Sequence, residues 1–148
     1  AIVRNRLWLL GIVAGGGRFI AIGHNGGGQG MLATSADGMA WSPVRQVGGS
    51  EWRGGAFVGG VFVLASRTDY LVTSDGATFV PCGVAGSDRG GFALGGAFVI
   101  FRAGSFDVSV DGKAWVKTNA TGVPGGWEDR GVAFGNGAYV GLAGGQRF

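Results

Sequence analysis

Ser35-Ala-Asp37-Gly38-Met-Ala-Trp41, Thr73-Ser-Asp75-Gly76-Ala-Thr-Phe79 and Ser109-Val-Asp111-Gly112-Lys-Ala-Trp115 are three spellings of one phrase. The template is Ser/Thr-x-Asp-Gly-x-x-aromatic, and its aspartates stand 38 and then 36 residues apart. A fixed period of about 20–50 residues marks a repeat architecture. A second phrase keeps step with the first, centred on Phe19, Phe62, Phe98 and Tyr139, each preceded by a Gly-Gly or Asn-Gly pair. A third marker falls eight residues before each of those aromatics, at Gly11, Gly54, Gly90 and Gly131. The residue before it is Arg53, Arg89 or Arg130 in three copies and Leu10 in the first.

The second copy shows what one repeat does physically. Gly54-Gly-Ala-Phe-Val is short, small and apolar, and reads as a tightly packed strand. Gly59-Gly60 suits a type I′ hairpin turn, in which both central residues need positive φ. The next run, from Val61 to Ala65, is rich in β-branched and aromatic residues and reads as a second strand. Residues 66–69 make a polar connection, and Tyr70-Leu-Val-Thr73 a third strand. A turn at Ser74-Asp75-Gly76 leads to a fourth strand that starts at Thr78-Phe-Val80 and ends at Pro81, because proline cannot donate to a ladder. Nothing in the chain sustains helical periodicity. Each repeat is then a four-stranded antiparallel meander, which must stack on its neighbours to bury both faces; radial stacking gives an all-β propeller. The repeats run over 7–46, 47–83, 84–122 and 123–148 together with 1–6, in one domain covering 1–148.

The Asp-Gly phrase has a mechanical reading. The carboxylate accepts backbone N–H groups of its own turn, glycine supplies a positive φ, and the earlier hydroxyl joins the network. The aromatic packs beneath. Ser35, Asp37, Gly38, Trp41, Thr73, Asp75, Gly76, Phe79, Ser109, Asp111, Gly112 and Trp115 are therefore expected to be structural, with no metal.

At this point the phrase resembles the Asp-box (BNR) repeat, Ser-x-Asp-x-Gly-x-Thr-Trp. The surrounding Gly-Asn-Gly-x-Tyr/Phe-Val pattern resembles Asp-box propellers of bacterial secreted proteins and photosystem assembly factors. The resemblance covers nearly the whole chain. It departs from the family pattern in that glycine follows aspartate directly, and the fourth repeat has no box. The resemblance implies a propeller fold and an extracellular or cell-envelope setting. The family spans sialidases, other glycosidases, sorting receptors, lectin-like modules and assembly factors, so it leaves function open.

The composition fits an ordered β protein. Glycine is 34 of 148 residues, yet 46% of the chain is hydrophobic and the glycines fall at turns and tight strands. A charged fraction of 14% suits strands buried on both faces. The net charge is +3, and ten of the twelve basic residues are arginine. Arginine's planar fork suits carboxylates, sulfates and phosphates. The arginines are spread along the chain with no basic run, which argues against nucleic acid. Cys82 is the only cysteine, so no internal disulfide forms, and its place at the end of an apolar strand reads as packing. There is no cluster with metal-ligand spacing, no cofactor motif and no stretch of about 18 apolar residues that would span a membrane. The chain opens on Ala1, compatible with a removed signal peptide or a piece of a longer chain.

The connections between repeats carry the candidate ligand residues. They are Ser50-Glu51-Trp52-Arg53, Gly86-Ser87-Asp88-Arg89 and Gly126-Trp127-Glu128-Asp129-Arg130, with Trp8 in the matching place of the first repeat. In a meander propeller all of them reach one mouth, opposite the Asp boxes. Trp52, Arg53, Arg89, Trp127 and Arg130 are expected to form it, tryptophan stacking on sugar rings and arginine clamping an acid. The competing reading has each arginine pairing with Glu51, Asp88 or Asp129. A glycosidase would need two acids at a set separation, for which Glu51, Asp88, Glu128 and Asp129 qualify by location alone. A sialidase would add a tyrosine nucleophile, but Tyr70 and Tyr139 both lie inside strand phrases. His24 opens the loop His24-Asn-Gly-Gly-Gly-Gln, which lacks the Lys-Ser/Thr of a phosphate loop and reads as a flexible link between strands two and three.

Three functional readings follow: a carbohydrate- or anion-binding, lectin-like module; a structural subunit that closes through its termini; and a glycosidase. Closure has a register argument. Phe62 to Asp75 and Phe98 to Asp111 are 13 residues, and Tyr139 to Asn5 counted through the joined termini is 14. The N-terminal segment would then supply a strand to the last repeat. Four repeats closing alone, eight from two chains as a homo-oligomer, or part of a larger ring all remain open.

Overall fold

The computed structural model describes residues 8–66, 68–82, 91–94, 96–102, 105–119, 127–135 and 138–143. Among these, all regular structure is β and every strand pairing is antiparallel. The first sheet is β1 (Trp8–Gly15), β2 (Arg18–His24), β3 (Gly30–Ser35) and β4 (Arg45–Gln46). The second is β5 (Trp52–Val58), β6 (Val61–Ser66), β7 (Tyr70–Thr73) and β8 (Val80–Pro81). The third is β9 (Gly91–Leu94), β10 (Ala97–Arg102), β11 (Ser105–Ser109) and β12 (Val116–Asn119). Each of the three pairs its strands in chain order, as a meander does. β13 (Trp127–Gly135) and β14 (Ala138–Ala143) form a hairpin. Residues 1–6, invoked above for closing the last repeat, lie outside the described residues.

The three sequence markers set the register. The hairpin turns at Gly16-Gly17 and Gly59-Gly60 have φ of 56°, 70°, 60° and 84°, the positive pair that a two-residue I′ turn requires. The aromatic after each turn stands directly across from the box hydroxyl: Phe19 opposite Ser35, Phe62 opposite Thr73 and Phe98 opposite Ser109. In the first two sheets the first strand carries an irregularity just before its marker glycine, between Leu9 and Gly11 and between Trp52 and Gly54.

Successive sheets stack face to face, with β1 against β5 and β5 against β9. Side-chain alternation along β6 sends residues both ways. Phe62 and Leu64 join Val13, Ile20, Ile22, Leu32, Trp52 and Leu71 in a core between the first and second sheets. Val63 and Ala65 join Ala56, Tyr70, Val72, Cys82, Phe98 and Ile100 in a core between the second and third. Burial on both faces explains why the central strands read as unbroken apolar runs instead of alternating with polar residues.

Two boundaries differ from the sequence reading. The fourth strand of the second repeat is Val80–Pro81, so Thr78 and Phe79 precede it, while it ends at Pro81 as expected, with Pro81 opposite Leu71. An outer edge strand tolerates proline because the missing donor would face away from the sheet. The first strand of the second repeat starts at Trp52, two residues before Gly54, and β13 starts at Trp127. Trp52, Arg53, Trp127 and Arg130 are thus strand residues and not parts of connecting loops.

Candidate functional site

The sheets present two ends. At one end lie the hairpin turns and the Asp boxes. Asp37 Oδ1 accepts the N–H groups of Met39 and Ala40, each at 2.8 Å, and the Ser35 hydroxyl at 3.0 Å. The Ser35 Oγ in turn accepts the Gly38 N–H at 2.9 Å. Asp75 repeats the pattern with Ala77, Thr78 and Thr73, and Asp111 with Lys113, Ala114 and Ser109. The glycines after them have φ of 78°, 66° and 70°. The indole N–H of Trp41 donates to Gly38 O and that of Trp115 to Gly112 O, at 3.1 and 3.2 Å.

These bonds hold all three carboxyls below the ordinary value of 3.8, the Ala40 N–H acting most on Asp37, Thr78 on Asp75 and Lys113 on Asp111. A group whose folded value is depressed stabilises the fold fully above its unfolded value, and the contribution disappears as pH falls through the folded one. The urea midpoint is therefore expected to be level from about pH 7 to pH 5 and to drop below about pH 4. Asp75→Asn should shallow that drop, and titrating denaturation curves of the two proteins from pH 7 to 2 measures it.

The second box has Phe79 where the others have tryptophan, so it has no indole donor for its glycine carbonyl. Arg45 of the first sheet supplies one. Its Nη2 donates to Gly76 O at 2.9 Å and to Ala77 O at 3.0 Å, and its guanidinium lies 5.3 Å from the Phe79 ring centroid. Arg18 of the first sheet lies against the same glycine. Arg45→Ala should cost about 1–2 kcal/mol, since charged hydrogen bonds are lost at a partly exposed place. In a Phe79→Trp background the loss should be roughly halved, because an indole restores the donor to Gly76 O; a double-mutant denaturation cycle reads the coupling. At the next sheet junction Cys82 takes the corresponding place, its N–H donating to Tyr70 O. Desolvation pushes its thiol up to about 12, so it stays protonated and packs as an apolar group. A cavity of about 260 Å³ lies there, lined by Val72, Val80, Pro81, Cys82, Gly112 and Lys113.

The opposite end carries the β2–β3 loop and the connection between sheets. Asn25 organises the loop. Its Oδ1 accepts the N–H groups of Gly27 and Gln29 at 2.9 and 3.0 Å, and its Nδ2 donates to Gln29 Oε1 at 2.7 Å. The glycine-rich link is thus a hydrogen-bonded turn, not a slack tether, because Asn closes backbone turns with its side chain. Beside it the exposed Trp8 ring stacks on His24, with centroids 5.8 Å apart and planes 29° apart.

The candidate mouth residues divide. Trp52 is fully buried in the core between the first two sheets and offers no face to a ligand. The reason is packing: the indole seats over Gly30 and Gly48, where a side chain would collide with it. Arg53 is exposed and ion-pairs with Glu51, its Nε and Nη2 both reaching Oε1. Arg89 and Asp88 lie outside the described residues, as do the side chains of Trp127, Glu128, Asp129 and Arg130. Trp8, which sequence reading placed there only by analogy of position, is exposed on one edge of this end, with the half-buried His24 stacked beside it. Arg45 was missed altogether, and the Trp-to-Phe change at position 79 was its only signal.

Among the described residues there is no group of three or more His, Cys, Asp or Glu able to hold a metal ion, and no helix long and apolar enough to cross a membrane. No family model matches the chain, and a search of curated proteins gives no match.

Proposed function

We propose that this chain is a non-enzymatic binding module built from blades of an Asp-box-type propeller, with a carbohydrate or anionic ligand held at the loop end. Its setting would be extracellular or the cell envelope. The observation that carries the reading is the contrast between the ends. At the box end the three aspartates spend their hydrogen-bonding capacity on their own turns. At the loop end an exposed tryptophan face stands beside a stacked histidine, and a charged Arg53–Glu51 pair sits on the next sheet. An aromatic face with a guanidinium nearby is the pairing that recognises an acidic sugar. Arg89, Arg130 and Trp127 extend the same surface in this reading, and Trp8 replaces Trp52 as the stacking ring.

An array of sialylated, sulfated and uronic-acid oligosaccharides, followed by titration of any hit, tests it. Trp8→Ala and Arg53→Ala should each weaken binding at least tenfold, while Lys117→Ala on the outer strand of the third sheet should leave it unchanged. Absence of any hit, or binding indifferent to Trp8 and Arg53, would end the reading.

A further inference from the structure

The two sheet junctions are bridged differently at the box end. Arg45 stands opposite Leu32, and the Cys82 N–H donates to Tyr70 O. Leu32 and Tyr70 each lie three residues before their box hydroxyl, so Arg45 and Cys82 hold equivalent places. Gly112 and Lys113 of the third box are likewise the counterparts of Gly76 and Ala77. At the first junction the Arg45 side chain crosses from its outer strand to Gly76 O and Ala77 O, at 2.9 and 3.0 Å. At the second junction the short Cys82 side chain cannot span that distance. The cavity of about 260 Å³ lies there, with Cys82 on one side and Gly112 and Lys113 on the other. Gly112 O has its donor already, the Trp115 indole.

The walls are apolar with a single charge. Val72 and Cys82 are buried in the floor, and the protonated thiol adds no charge to it. Val80, Pro81 and Lys113 are exposed at the mouth. Among the described residues the Lys113 ammonium makes no hydrogen bond or ion pair. Asp111 feels its charge only as the least of the influences on that carboxyl. An adjoining hollow of about 170 Å³ shares Val72, Val80 and Lys113, and Asp75 lines it as well. A mostly apolar concavity with one placed polar group is the make-up of a small-ligand site.

We propose that this cavity binds a small amphipathic monoanion, a carboxylate on an apolar body of about six carbons. The carboxylate pairs with Lys113, and the body lies against Val72, Val80, Pro81 and Cys82, across the gap that Arg45 spans at the first junction. The volume is below the roughly 300–1,000 Å³ of sites for drug-sized molecules, which sets the small size. The Asp75 carboxylate in the adjoining hollow repels a second anionic group, which sets the single charge. The inference stands on the junction between the second and third sheets and does not depend on ligand recognition at the loop end.

Hexanoate is the probe and hexanol its uncharged control, each titrated into the full chain and followed by amide proton–nitrogen shifts. Hexanoate should give saturable shifts at Cys82, Gly112 and Lys113, and hexanol weaker ones at the same amides. Lys113→Ala installs the residue that the second box carries at this position, so the fold accepts it. It should weaken hexanoate about fivefold, the upper end of what one exposed ion pair supplies, and leave hexanol unchanged. Cys82→Leu puts bulk into the cavity and should weaken both. Since Cys82 is buried, that variant is read only if its amide spectrum stays folded, and Lys113→Ala decides otherwise. Shifts that do not saturate by about 20 mM, the weak limit for a ligand of this size, would overturn the proposal. So would a hexanoate affinity that Lys113→Ala leaves unchanged.

Discussion

Trp52→Ala is expected to be among the most damaging single changes in this protein, lowering stability by about 3–5 kcal/mol, the range for truncating a buried large aromatic. The side chain is completely buried and touches both sheets of the first core. Its surroundings cannot collapse into the space. The loop that covers it carries Gly48 at a φ of 81°, and a Cβ on Gly30, on the other side, would stand 2.5 Å from the Ser50 carbonyl oxygen and 2.7 Å from that of Val47. Since small domains have only about 5–15 kcal/mol in total, a loss of this size should be visible as a large shift of the urea midpoint. Trp52→Phe separates two causes. The indole Nε1 has no hydrogen-bond partner in its buried position. Phenylalanine keeps most of the volume and removes that orphaned donor, whose burial is itself unfavourable. Its cost should be well under half that of alanine. A phenylalanine variant as unstable as the alanine one would mean that the indole edge, not its bulk, holds the loop.

Gly15→Ala is expected to separate the first two sheets locally and to cost about 1–3 kcal/mol, the range for overpacking a well-filled core. A Cβ at Gly15 would stand 2.1 Å from Phe57 Cγ and 2.6 Å from Phe57 Cβ. A χ1 rotation can move Cγ but not Cβ, so no rotamer change clears both contacts and the backbones themselves must move apart. Gly16 next to it lies under the far end of the same ring. Phe57→Ala in the Gly15→Ala background should recover part of the loss, because the Cγ collision disappears while the Cβ one remains. Thermal or urea denaturation of the two single variants and the double variant measures this. If Gly15→Ala is neutral, the two sheets do not approach each other closely at that strand.

Both predictions concern contacts between repeats, and there the sequence was least legible. Within a repeat it was nearly transparent. The Asp boxes close within six residues, so their bonds follow from residue type and spacing with little regard to the surroundings. The Gly-Gly turns are equally local, since only glycine takes two successive positive φ values without strain. The meander order of strands followed from these two short signals. The fate of Trp52 did not. A tryptophan beside an arginine in a supposed connection suggested a binding surface, yet the strand begins earlier and the irregularity before Gly54 leaves Trp52 in the core and Arg53 outside. Whether that ring met ligand or protein depended on Gly30 and Gly48 being placed to receive it. The Asn25 turn lay between these cases: its residues were in plain view, and only their mutual geometry turned a glycine-rich run into an ordered loop.

The sequence by itself determined the repeat, its turns, its boxes and the all-β meander, because those depend on hydrogen bonds and backbone freedom over a few residues. Only the tertiary structure decided which face of each sheet meets which neighbour, that Arg45 reaches a box 31 residues away, and that Leu9 and Ile12 of the first sheet stay exposed where Trp52 is buried in the second. Burial is a property of what arrives from elsewhere in the chain. A period of two along a strand names two faces, and it does not say which of them will be covered.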